Sequence, residues 1–322
     1  MKTKSYILIV FSILISTLCL FIGPEFINPF SISGLDKEIL LSIRVPRLLT
    51  SLLIGSALGV AGAILQGVLR NPLADPYILG ISSGSALFAV FAMTLGSGLT
   101  LLSFFSLPFL AFLGAMTTGV IVGLLSFKEG RVVPERLLLA GIGLGFLFSS
   151  ALILILSLAT ELNLRRAMLW LFGDLSLADY TYLPVGVLIV TTALLITILK
   201  TKALNALALG DDIAFSLGFS PSRERLILFT AASLMTAAAV SLGGIIGFIG
   251  LLIPHIVRFS AGSDARILIP LSAITGAAVL CVADTIARTV LSPTELPSGI
   301  ITALIGAPYF LYLLRKKRML WE

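Results

Sequence analysis

Residues 226–257 read LILFTAASLMTAAAVSLGGIIGFIGLLIPHIV, a run of 32 with no Asp, Glu, Lys or Arg. A helix rising 1.5 Å per residue crosses about 30 Å of hydrocarbon in about 20 residues. The run is therefore long for one crossing and short for two. Gly243-Gly244 interrupts it, and Pro254 near its far end lacks the N–H that a helical ladder needs. Whether it counts as one segment or two sets the sidedness of everything after it, and the basic residues decide. With two segments, 16 of the 22 Lys and Arg fall inside and 6 outside, namely Lys37, Arg44, Arg47, Arg165, Arg166 and Arg288. With one, the split is 11 against 11. The positive-inside rule selects two, which predicts ten membrane segments with both termini cytoplasmic. The second of the two must be short or partly irregular, a form tolerated where backbone is buried in protein or lines a cavity.

The remaining segments follow from runs poor in charge. Single spans are predicted at 5–23, 48–68, 137–158, 180–199, 267–287 (with Asp284 near one end) and 296–314. The charge-free stretch 76–127 makes two more, broken near Gly96-Ser97-Gly98. Lys2 and Lys4 precede the first run, as in a secretory signal, but the run exceeds a signal's apolar core of about 7–15 residues. Phe21-Ile22-Gly23-Pro24 is also a poor cleavage site, so the segment is read as a retained span.

Composition supports a membrane protein throughout. Hydrophobic residues make up 58% of the 322 residues and charged residues 12%, against about 25% charged in a soluble domain. A mean hydropathy of +1.10 leaves no room for a large polar domain, so residues 1–322 are read as one all-α, polytopic transmembrane domain. The net charge of +6 does not point to nucleic acid, because the basic residues sit singly or in pairs between apolar runs and serve as topology determinants in contact with lipid. Cys19 and Cys281 both fall in apolar stretches and imply no disulfide framework. Gly55-x-x-x-Gly59 and Gly119-x-x-x-Gly123 place small residues on one helix face, read as general intramembrane packing.

Four polar clusters break the apolar pattern. The first, Arg44-Val45-Pro46-Arg47, lies at the outer end of the second span and opposes the positive-inside trend. Pro46 favours an extended Val45 and a helix start, so the arginines are expected to be exposed and rigidly presented for carboxylates on a partner. The second, from Gln66 through Arg70, Asn71, Pro72, Leu73 and Asp75 to Pro76, predicts a rigid turn at the inner face. The third is the inner stretch 204–225. It predicts a short amphipathic helix carrying Ile213, Phe215 and Leu217, with Asp211 and Asp212 near its start and Gly218 at its close. The fourth, 243–258, holds the only histidine, His255, read as structural.

No G-x-x-x-x-G-K-[ST] occurs, so the chain has no P-loop for ATP, and no Cys/His cluster has metal-ligand spacing. An ion-coupled secondary transporter would need ion ligands near mid-membrane, for which the broken eighth segment is a weak hint. An intramembrane enzyme would need paired catalytic groups, and the spans contain none.

The four clusters, in this order, resemble the FecCD-type permeases, which import iron–siderophores, haem and vitamin B12. The similar stretches are 44–84, 137–145, 206–218, 243–258 and 283–309. The last contains Ala283-Asp284-Thr285-Ile286-Ala287-Arg288 and Glu295-Leu296-Pro297-Ser298-Gly299. The resemblance implies a type II ABC importer permease in the cell inner membrane, forming a homodimer or close heterodimer. Its partners would be two ATPase subunits and an extracytoplasmic binding protein, with ATP and Mg2+ held by the ATPases and no cofactor on this chain. Of the cargoes, an iron–siderophore leads, with cobalamin, haem and oxyanions open. The resemblance places docking arginines on Arg44, Arg47 and Arg288, and a cytoplasmic gate on Asn71 and Leu73. It places ATPase coupling on 208–218, including Ala208, Gly210, Asp211, Asp212, Ala214, Leu217 and Gly218. It lines the translocation pathway mainly with 137–158 and 296–314.

Overall fold

The computed structural model describes residues 2–94, 106–176 and 178–315. The expected break at Gly96-Ser97-Gly98 and the basic residues from Lys316 onward lie outside them. The described residues form fourteen α-helices and one two-stranded hairpin. The first half runs α1 (Lys2–Phe21), α2 (Gly34–Ile39), a π-helical turn (Leu40–Arg44), α3 (Val45–Val68), a 3-10 turn (Pro76–Leu79), α4 (Ile81–Thr94) and α5 (Leu107–Leu125). The antiparallel hairpin β1 (Phe127–Lys128) and β2 (Arg131–Val132) follows. The second half runs α6 (Pro134–Ser157), α7 (Glu161–Leu171), α8 (Leu183–Leu199), α9 (Thr201–Leu209), α10 (Asp211–Ser216), α11 (Pro221–Gly243), α12 (Ile249–Ala261), α13 (Ala265–Thr289) and α14 (Ser298–Arg315).

Each of the ten expected segments appears as an apolar helix. Five are long and apolar enough to cross a membrane: Gly34–Val68, α5, α6, α11 and α13. The pair α8 and α9, bent by 62°, makes a sixth. Four more are shorter apolar helices, over Tyr6–Phe21, Ile81–Thr94, Ile249–Ala261 and Ser298–Tyr312. The decisive stretch 226–257 divides as the charge count requires. α11 ends at Gly243, Gly244 takes φ +71°, and α12 starts only at Ile249 and spans 13 residues.

α3 is the central post of the bundle, buried on all sides against α11, α12 and α13. Small residues make this possible. Gly55, Gly59 and Gly62 lie on one face of α3, one turn apart. A Cβ on Gly55 would strike the carbonyl of Gly276, one on Gly59 would come within 2.5 Å of the carbonyl of Ser272, and one on Gly62 would strike the carbonyl of Gly250. The first small-residue motif is therefore the seam between α3 and α13. The second, Gly119 and Gly123, faces Ser233 and Phe229 of α11. Both join helices within the chain, as general packing predicts.

One local expectation fails. Val45 is helical (φ −66°, ψ −50°), not extended, and the helix runs unbroken from Gly34 to Val68. Pro46 would leave the carbonyl of Ser42 unbonded and crowd it with its ring, and the wider π turn directly before it absorbs both effects. The short helix expected within 204–225, with Asp211 and Asp212 near its start and Gly218 at its close, is α10, and a further short helix, α9, precedes it. Gly210 adopts φ +128°, outside any helical geometry, and separates α9 from α10. The hairpin and α7 are among the elements that the sequence does not predict. The hairpin turns on Glu129 (φ 51°) and Gly130 (φ 76°), both left-handed as a two-residue hairpin demands. α7 opens on Thr160, which accepts a hydrogen bond from the Asn163 N–H at 3.5 Å.

Candidate functional site

At one end of the bundle stand Arg44 and Arg47, the pair expected to be exposed, together with Arg288. All are buried: Arg44 is 4% exposed, Arg47 4% and Arg288 6%. Their partners lie within the chain. Arg44 donates to the carbonyls of Leu20 (3.2 Å), Phe21 (2.8 Å) and Glu25 (2.5 Å). Arg288 donates to the carbonyl of Cys19 at 2.5 Å. Together they cap the last turn of α1, whose carbonyls lack intrahelical partners and attract positive charge. Arg47 serves a different neighbour. Its Nε donates to Asp284 (2.9 Å) and its Nη1 to Glu295 (2.5 Å), while Ser298 donates to the other oxygen of Asp284 at 2.8 Å. The expectation of an exposed, partner-facing pair is thus corrected. Arg44 turns toward α1 and Arg47 toward α13 and α14, because each finds there the oxygen atoms that a buried guanidinium needs.

At the other end, the expected inner groups gather. Arg70, Asp211 and Arg225 meet there, as do Lys200 with Glu224 (2.9 Å) and Asn205 with Asp264 (2.8 Å). The two polar sets thus lie at opposite ends of the bundle. Asn71 and Leu73, the gate pair, sit half-buried in the turn after α3. Asn71 builds that turn. Its side chain accepts from the N–H of Leu73 (2.9 Å), its N–H reaches the carbonyl of Gln66 (3.1 Å), and its carbonyl accepts from Ala74 (3.0 Å). Arg70 just before it is left-handed, with φ 50°.

The coupling set divides in two by direction. Ala208, Asp212 and Leu217 are exposed, and so are Ile213 and Phe215, the last at 74%. Ala214 is fully buried, facing the bundle. Gly218 closes α10 as expected. At φ +84° it lets the N–H of Phe219 reach the carbonyl of Ala214 (3.0 Å) and its own N–H reach that of Phe215 (2.9 Å), a paired-bond stop that favours glycine. Asp211 points inward. Its Oδ1 accepts from Arg225 at 2.6 Å and from Arg70 at 3.0 Å, and Arg225 also donates to the carbonyl of Val132 at 2.8 Å. The Arg225 side chain is 0% exposed, so removing Asp211 would strand a buried cation, which typically costs about 3–5 kcal/mol. The gate and coupling sets, separate in sequence, are thereby joined through Arg70 and Asp211.

Two residues central to this end were not singled out. Gln66 bonds carbonyls in the first turn of α12, and Tyr77 holds the irregular backbone between α11 and α12. The Tyr77 hydroxyl donates to the carbonyl of Ile246 (2.7 Å) and accepts from its N–H (3.0 Å). Tyr77 follows the Pro76 that marks the turn, but nothing in the sequence names Ile246 as its partner.

This architecture has close parallels. The FecCD transport family profile matches residues 7–316. The chain belongs to that family. It is 40% identical to the hemin transport system permease protein of Yersinia pestis, with 87% of this chain and 84% of that one covered. It is 39% identical to the iron(3+)-hydroxamate import system permease protein of Bacillus subtilis, with coverage of 87% and 84%. A solved inward-facing structure of an ABC transporter assigned to the metal-chelate type superposes with a TM-score of 0.85 at 31% identity, over 98% of this chain and 100% of that one. The FecCD chain described here is thus a multi-pass, non-catalytic transmembrane subunit with the type II permease architecture. It is the permease subunit of an ABC transporter.

Proposed function

We propose that this permease translocates an iron–siderophore complex delivered by an extracytoplasmic binding protein. The observation that carries the transport reading is α10: a short helix whose Ile213, Phe215 and Leu217 are exposed while its base is fixed by Asp211 and the buried Ala214. Exposed apolar side chains on a rigid base, at the end where basic residues gather, suit a cytoplasmic ATPase subunit. Both termini then lie in the cytoplasm, as the charge count predicts.

Two copies of the chain meet on the α6 side. α6 is among the longest helices, yet it leaves Leu139, Phe146 and Ile153 exposed along one face. With α14 it would line the pathway. From Leu137 to Ser157, α6 carries no charge, and it offers Gly143 and Ser150 on its open face. Such a wall lets a bulky, hydrogen-bonding chelate slide without a tight site, and leaves capture to the binding protein. On the outer side, Arg44, Arg47 and Arg288 enter the reading as the frame beneath the docking surface, with Glu295 at its rim (side chain 37% exposed).

The test is ATP-driven uptake in proteoliposomes holding the full complex, offered ferric hydroxamate, haem or cobalamin with the matching binding protein. Uptake of the ferric hydroxamate alone supports the substrate assignment. Uptake of haem or cobalamin in its place redirects it, and uptake driven by an ion gradient without ATP overturns the transport reading.

A further inference from the structure

The inner end contains one acidic group that touches both the short exposed helix and the turn after α3. We propose that Asp211 and Arg70 are positioning residues that transmit movement of α10 to the turn carrying Asn71 and Leu73. The inference rests on the reading of α10 as the surface that meets the ATPase subunit.

Four observations carry it. First, α10 is bounded by two glycines with positive φ, Gly210 at +128° and Gly218 at +84°, so both ends can act as pivots. Second, Asp211 sits directly after the first pivot and binds two arginines through one oxygen, Arg225 at 2.6 Å and Arg70 at 3.0 Å. Third, Arg225 is 0% exposed and also bonded to the carbonyl of Val132, so Asp211 cannot leave it without stranding a buried cation. Movement of α10 therefore takes the start of α11 with it. Fourth, Arg70 is the residue before Asn71, and the bonds from Asn71 to Gln66, Leu73 and Ala74 make the turn one unit. A pull on the Arg70 guanidinium is delivered to that whole unit.

Magnitudes separate the two links. Arg70 and Asp211 are 39% and 41% exposed, and an ion pair so placed adds little to stability. The bond joins segments 141 residues apart, and its use is directional: it fixes how the turn follows the helix. The Arg225 link holds the joint together, and the Arg70 link sets where the motion goes.

The experiment uses the complete complex in proteoliposomes and measures chelate taken up per ATP hydrolysed, alongside co-purification of the ATPase subunits. Arg70→Gln should lower uptake per ATP at least about fivefold, the small end of typical coupling effects, with ATPase subunits still bound. Arg70→Lys, which keeps the charge, should retain most of it. Asp211→Asn should also lose coupling, and the Arg70→Gln/Asp211→Asn double variant should be no worse than Asp211→Asn alone, since residues in one network do not add. Wild-type uptake per ATP in Arg70→Gln, additive losses in the double variant, or loss of ATPase co-purification in Arg70→Gln each overturn the proposal. If the wild type shows no ATP-driven uptake of any chelate, the permease reading fails and takes this inference with it.

Discussion

Gln66 donates its side-chain amide to the carbonyl of Gly250 at 3.3 Å, the group that Pro254, four residues on and without an N–H, leaves unbonded. The same amide reaches the carbonyl of Leu251 at 3.3 Å, and the Gln66 side-chain oxygen Oε1 accepts from Arg258 at 2.5 Å. A proline inside a 13-residue helix is tolerated because a side chain from α3 replaces the missing donor. Gln66→Leu should therefore destabilise the protein by about 1–3 kcal/mol, the cost of buried polar groups left unmade. Thermal melting in detergent measures it, and a melt equal to wild type would remove the bond from the account.

Arg47 and Glu295 should respond very differently to substitution. Asp284 is 3% exposed and depends on Arg47 for its charge balance. Arg47→Ala leaves that carboxylate buried and uncompensated, which predicts a loss of about 3–5 kcal/mol and poor recovery of folded protein. Glu295 is partly exposed, and Glu295→Gln should cost no more than about 1 kcal/mol. Equal melting temperatures for the two variants would show that the buried pair is not the structural element described.

On α10, neighbouring positions should separate stability from association. Phe215→Ser removes an exposed ring and should leave stability within about 0.5 kcal/mol of wild type. It should weaken ATPase-subunit binding by about 2 kcal/mol, roughly thirtyfold, if the ring anchors that interface. Ala214→Trp should do the reverse at first order, overpacking a fully buried site at a cost of about 1–3 kcal/mol. Titration of purified ATPase subunit onto each variant, with parallel melts, makes the comparison. Undiminished binding by Phe215→Ser would move the interface elsewhere.

A cysteine at Phe146 tests the face of α6. With Cys19 and Cys281 replaced by alanine, Phe146→Cys in membranes should cross-link to itself in a second copy, as should Leu139→Cys. A cysteine at the buried Leu137 should not. Monomer alone on the gel for all three, under conditions where transport persists, would place the second subunit on another face.

Much of the fold was legible because membrane burial writes itself into charge-free runs. The most informative single stretch was 226–257, where charge on either side forced a division that α11 and α12 show. Gly218 was legible too, since a helix stop with positive φ selects glycine by sterics. The arginines were not. Arg44, Arg47 and Arg288 violate the positive-inside trend, and sequence reports the violation without the cause. The cause lies in the carbonyls of α1 and in Asp284 and Glu295, the last two 237 and 248 residues from Arg47. The short helix with Asp211 and Asp212 at its start was legible, but α9 ahead of it was not, because Gly210 looks like an ordinary interior glycine until its φ of +128° is seen to separate two helices. Gln66 lies at the start of the turn that the sequence predicts, yet its role depends on a proline 188 positions later.

The double boundary of α10 has an evolutionary consequence. Its length is fixed by Gly210 and Gly218, and its attachment by Asp211 and Ala214. Ile213, Phe215 and Leu217 face away from the bundle. Those three positions can drift without disturbing a single packed helix, so compatibility with a partner and integrity of the fold are written in different letters of the same short segment. An inserted residue between the glycines would instead turn the helix by about 100° and bury the wrong face. Divergence here is expected to proceed by substitution, with the length of the segment held constant.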